Sequence, residues 1–148
     1  MKVHEVMSVK SAANGMVEML TGAGYSDQAI AYYLTRPSMG RLQDADQVTE
    51  LTGDCGDTMT VYLKLDGERI GEVSFEIQGC AGTITAAMAA ADLIRGKTLA
   101  EAASLTDRDV LRVLKTIPDE KIHCIHLAVK SLHKALQDIA RGGPDATV

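Results

Sequence analysis

The chain has 148 residues, the length of one domain, and can bury a core without a disulfide framework. Its net charge of -5 argues against a nucleic-acid partner, whose phosphates call for clustered Lys and Arg. No apolar run approaches the roughly 18 residues of a membrane span, and the N-terminus lacks an apolar signal core. With three cysteines, an odd number, a reducing cytoplasm is the expected setting, where spaced cysteines serve metals or catalysis more often than disulfides.

In chain order, residues 1–24 read as an N-terminal lead, either mobile or holding a short helix around Ala13 to Leu20. Ser26 is placed to cap a helix over Asp27 to Leu34, which Arg36-Pro37 ends; residues 38–46 read as loop. Val48 to Thr52 is a candidate strand. In Thr58 to Asp66, Met59, Val61, Leu63 and Leu65 alternate with polar residues, and in Arg69 to Gln78 so do Val73, Phe75 and Ile77. Asp66-Gly67 is a hairpin turn signal between them.

The second half is helical in pattern. Thr83 to Arg95 is Ala-rich, with Gly96 to close it. Thr98 with Glu101 makes a capping box, and Thr106 with Asp109 nearly repeats it. Pro118 breaks the chain before a last helix from about Glu120 to Arg141. Its Ile122, Ile125, Val129, Leu132, Leu136 and Ile139 form one apolar stripe. Strands followed by helices predict an α+β fold: a small antiparallel three-stranded sheet with helices packed on one face. The main domain is drawn over 25–141, leaving 142–148 as a tail.

All three cysteines fall at element boundaries. Cys55 lies in the loop Gly53-Asp54-Cys55-Gly56-Asp57, Cys80 follows Gly79 where a helix begins, and Cys124 follows His123 in the first turns of the last helix. Neighbouring glycines let backbone approach closely and free amides to point at sulfur. A helix N-terminus favours thiolate, the form that binds metal and attacks sulfur, and Cys80 and Cys124 both have that setting. A single free Cys is as readily a small buried hydrophobe. On a helical wheel, however, Cys124 sits at the edge of the stripe and His123 on the opposite side, so neither reads as core filler. Asp57 is either a turn residue or, beside the cysteine loop, an oxygen ligand. His126 and His133 read as ordinary packed or surface histidines.

These residues carry a family resemblance. Gly53-Asp54-Cys55-Gly56-Asp57-Thr58-Met59 resembles the Cys-Gly-Asp motif of the U-type iron–sulfur scaffolds, the IscU/NifU N-terminal family. Gln78-Gly79-Cys80-Ala81-Gly82 is similar to its second-cysteine motif, and Lys121-Ile122-His123-Cys124 to its Lys-Leu-His-Cys. Tyr25-Ser26-Asp27, with Arg36-Pro37 and Gly40, loosely resembles the family's opening helix and loop. The likeness runs from about residue 25 to 141, in order, and uses every cysteine.

The resemblance implies a scaffold without turnover of its own, a monomer or weak dimer. On it a two-iron, two-sulfur cluster would be built, with sulfur from a cysteine desulfurase taken first by Cys124, and passed to apo iron–sulfur acceptor proteins. Cys55, Cys80 and Cys124 would hold it, with Asp57 or His123 as a harder, weaker fourth ligand that favours release; the same set suits tetrahedral zinc. The alternative is a zinc-bound sulfur acceptor of the SufU kind, although the insertion that marks that branch between the second and third cysteines is missing. Ile117-Pro118-Asp119-Glu120-Lys121 stands where the family has Leu-Pro-Pro-Val-Lys, which puts recognition by a dedicated chaperone in doubt. A cysteine-nucleophile enzyme would leave Cys55 and Cys80 idle.

Overall fold

The computed structural model describes residues 14–142, so the first thirteen residues of the expected lead and the last six of the tail lie outside it. Two short helices open it, α1 (Asn14–Ala23) and α2 (Asp27–Thr35). The Ser26 hydroxyl accepts the Ala29 amide at 3.0 Å, the expected cap of α2. Three strands follow, β1 (Gln47–Thr52), β2 (Thr58–Asp66) and β3 (Arg69–Gln78), in the spatial order β1-β2-β3 with both pairs antiparallel. Gly67, at a φ of +63°, turns the β2–β3 hairpin where the Asp66-Gly67 signal placed it.

The strand pattern decides which face is covered. Met59, Val61 and Leu63 of β2 and Phe75 of β3 are fully buried. Strict alternation would put Ile70 on the opposite face from Val73 and Phe75, yet Ile70 is buried with them. The register shifts between Lys64 and Leu65, so that Leu65 pairs with Ile70 and Gly71 is the extra residue. The loop after α2 covers the outer edge of β3, with Gly40 donating to the Phe75 carbonyl at 2.8 Å and Phe75 donating to Ser38 at 2.9 Å.

The helices pack against the buried face. They are α3 (Ala81–Ile94), α4 (Leu99–Ala102), α5 (Asp107–Leu114) and α6 (Ile122–Ala140), the last preceded by a single 3₁₀ turn at Asp119–Lys121. Helix α3 is buried on every side from Gly82 to Ala91, which explains its run of alanines: only small side chains let α2, α5, α6 and the sheet close around it. Both expected capping boxes are formed, Thr98 with Glu101 and Thr106 with Asp109. The α6 stripe departs from expectation at its start. Ile122 is 42% exposed, whereas Cys124 is fully buried. The first turn of α6 overhangs the core, and the side facing α3 there is the Cys124 side, against Gly82.

Candidate metal centre

Sheet register builds the first half of the site. Thr58 pairs with Gln78, so Asp57 and Gly79, one step beyond, lie side by side at the end of the hairpin. Chain direction then delivers Cys80 as the N-cap of α3. The Asp57 carboxylate folds over this helix start. Its Oδ2 accepts the Thr83 hydroxyl at 2.5 Å and lies 3.5 Å from the Cys80 amide. A Cβ at Gly79 would sit 2.7 Å from that oxygen, so any larger residue there displaces the carboxylate.

The second half comes from α3 packing on α6. A Cβ at Gly82 would lie 3.2 Å from Cys124 Sγ and 3.0 Å from Lys121 Cβ, and its absence lets α6 bring Cys124 to Cys80. The two sulfurs are 3.8 Å apart. Ligand atoms of Asp57, Cys80 and Cys124 all lie within 4.8 Å of one another. Two sulfurs bound tetrahedrally to one ion at about 2.3 Å would be separated by about 3.8 Å. The donor set therefore fits a thiophilic metal centre.

Cys55 and His123 stand beside this cluster rather than within it. Cys55 is exposed at the tip of the β1–β2 turn, where Gly56 takes a φ of +90°. His123 is exposed on α6 with Nε2 3.6 Å from Cys124 Sγ. The two share the lining of a cavity of about 400 Å³ with Leu51, His126 and Lys130. His126 and His133 are engaged as ordinary histidines, the first with Asp107 Oδ2 at 3.0 Å and the second with the Leu105 carbonyl at 2.9 Å.

The two clustered thiols differ in charge. Burial opposes ionisation of Cys80, but the Thr83 hydroxyl, the amides of Thr83 and Gly82 and the Cys124 thiol outweigh it, and the pKa is lowered. Burial pushes the Cys124 thiol up to about 11; Cys80 and Asp57 add to this, while Thr83 opposes it. The helix start that was expected to make Cys124 a thiolate is overridden by its burial. Of the pair, Cys80 is the thiol that ionises more readily and Cys124 the one that keeps its proton, 3.8 Å away.

Three participants were not singled out by sequence. Thr83 stands one helical turn after Cys80, and only that spacing hinted at it. Lys121 is held more strongly protonated, first by Cys80 and then by Cys124 and Asp57. Tyr25 has its phenol pushed up to about 12 by burial and by the charges of Cys80, Cys124 and Glu120. Both had been noted only as parts of the family motifs.

A small α+β domain carrying two cysteines and an aspartate at the joint between a sheet and two helix starts has the donor set of a metal-binding module. Residues 24–142 match the family model for the NifU-like N terminal domain. The chain is 35% identical over 118 residues to the iron–sulfur cluster assembly scaffold protein IscU 1 of Archaeoglobus fulgidus, covering 79% of this chain and 77% of that one. It is 33% identical to the IscU scaffold of Azotobacter vinelandii, over 77% of this chain and 92% of that protein. Among solved structures, a putative scaffold protein for the SUF system, from Fervidobacterium islandicum, superimposes with a TM-score of 0.62 at 27% identity, covering 76% of this chain and 96% of that one. A NifU-like N-terminal protein of Brucella abortus shares the fold, with a TM-score of 0.63 at 18% identity, over 78% of this chain and 94% of that one. The chain belongs to the U-type iron–sulfur scaffold family.

Proposed function

We propose that this protein is a scaffold on which an iron–sulfur cluster is assembled and from which it is passed to apo-proteins, without turnover of its own. The observation that carries the reading is the Cys80–Cys124 pair at 3.8 Å with the Asp57 carboxylate beside it. Two soft sulfurs and one hard oxygen bind a cluster less firmly than four thiolates do. Cys55, on its exposed turn, and His123, beside Cys124, supply the remaining coordination for a two-iron, two-sulfur cargo. Sulfur comes from a cysteine desulfurase as a persulfide. Cys124 is its final acceptor, but its burial makes Cys80 the first point of attack. The Cys80 thiolate takes the outer sulfur of the donor persulfide, releasing the donor thiolate, and Cys124 receives it across 3.8 Å as the bond from Cys80 to that sulfur breaks, the Cys124 proton passing to the departing Cys80 sulfur. The setting is the cytoplasm.

Anaerobic purification and reconstitution with iron and a desulfurase test this. Visible absorbance, two sulfides per protein-bound iron pair and transfer to apo-ferredoxin are expected. A zinc-bound sulfur acceptor is the second reading, favoured by the likeness to a SUF-system protein and by a sulfur spacing that suits tetrahedral zinc. A protein that holds zinc stoichiometrically, accepts sulfur and never develops cluster absorbance would establish that reading instead.

A further inference from the structure

Thr83 is fully buried, and its hydroxyl touches the members of the cluster. It donates to Asp57 Oδ2 at 2.5 Å and lies 3.5 Å from Cys80 Sγ. Among the described residues no other group fixes the Asp57 carboxylate so closely, since the Cys80 amide is 3.5 Å away. The residue sits on the stretch of α3 that is buried on all sides, where packing holds its position. Asp57, by contrast, lies between the β1–β2 turn and the first residue of β2.

We propose that Thr83 is a positioning residue that holds Asp57 against the two sulfurs as a metal ligand. The inference rests on the site assigned under Proposed function. A hydroxyl has a single proton; of the acceptors that share it, the carboxylate at 2.5 Å takes the larger part and Cys80 Sγ at 3.5 Å the smaller. That bond restricts the Asp57 side chain to the rotamer that faces Cys80 and Cys124. Without it, the carboxylate is free to turn to solvent at the hairpin end, and the site falls to two sulfurs. Groups that orient a ligand from behind typically change metal affinity by about 10- to 100-fold when removed.

Zinc alone is the probe, with affinity measured by competition against a chromophoric chelator on the full chain, reduced and metal-free. Thr83→Val keeps the shape and removes the donor. It is expected to weaken zinc binding by about 10- to 100-fold, with Thr83→Ser restoring wild-type affinity. Thr83→Ala serves as the second donor-free variant if valine disturbs folding, as judged by circular dichroism. The deciding measurement repeats Thr83→Val in an Asp57→Ala background, where the loss should vanish because the residue acts through the carboxylate. Cobalt(II) substitution adds a signature that a merely structural role would not move: sulfur-to-cobalt charge transfer retained, ligand-field bands shifted as an oxygen donor is lost. Unchanged affinity in Thr83→Val, or an equal loss with and without Asp57, overturns the proposal. Zinc binding that survives Cys80→Ser would instead overturn the site assignment itself, whatever Thr83 does.

Discussion

At the scale of single residues, the cysteine pair makes the metal-free protein sensitive to pH in two opposite senses. The Cys124 thiol, ordinarily near 9, is pushed up to about 11, so the native chain holds that proton more tightly than the unfolded chain. Its contribution to stability is complete below about pH 9 and is lost as pH rises toward about 11. Cys80 has a lowered pKa, so its contribution is present above the ordinary thiol value and lost as pH falls through the lowered one. Urea unfolding of the reduced, metal-free protein should therefore show stability dropping between pH 9 and 10.5 more steeply in wild type than in Cys124→Ala. Parallel curves would mean that the sulfur is not buried as a thiol. Gly79 offers a second test. A methyl there would lie 2.7 Å from Asp57 Oδ2, so Gly79→Ala shifts the carboxylate and strains its bond to Thr83. We expect about 1–3 kcal/mol of lost stability, read from urea midpoints, together with weakened zinc binding.

Elements obey more local rules. Helix α5 starts from Thr106, whose hydroxyl accepts the Asp109 amide at 3.2 Å while Asp109 accepts the Thr106 amide at 3.0 Å. Thr106→Ala should lower stability by about 1 kcal/mol without altering metal binding, since α5 carries none of the ligands; a change in zinc affinity would show that α5 reaches the site. Caps and turns of this kind were legible in the sequence because their chemistry lies within four residues, and so were the hairpin and the three-stranded antiparallel sheet. The bulge at Gly71 was not, because a period-two pattern says nothing of where an extra residue enters. The stripe of α6 misplaced Ile122 because periodicity gives a face but not where the core ends. Asp57, Cys80 and Cys124 come together as their setting suggested, whereas Cys55 stays on its exposed turn, because a loop motif does not say how far its tip stands from the helix starts. Thr83 was hidden because its partner Asp57 is 26 positions away, and only the Thr58–Gln78 register joins them.

At the scale of the whole molecule, the rigid and the yielding ligands come from different parts of the fold. Cys80 and Cys124 are mounted at the starts of two helices packed against each other in the core, and neither can leave without disturbing that packing. Asp57 and Cys55 belong to the β1–β2 turn, at the exposed rim. A cargo held this way should be released from the rim inward. Asp57 is suited to let go first, being a hard oxygen on a soft metal and carried by the turn rather than by a core helix. Asp57→Ala removes both the weak ligand and its negative charge beside the thiolates. The variant should bind simple divalent metal less tightly, yet hold an assembled cluster longer, because the ligand that opens the exit is gone. The measurement is the rate of cluster transfer to an apo-ferredoxin, wild type against Asp57→Ala, with slower transfer expected from the variant. Were Asp57 only a brace for the start of α3, its removal would loosen the turn and speed cluster loss, so faster transfer would assign it a structural role and leave the exit route to Cys55 or His123.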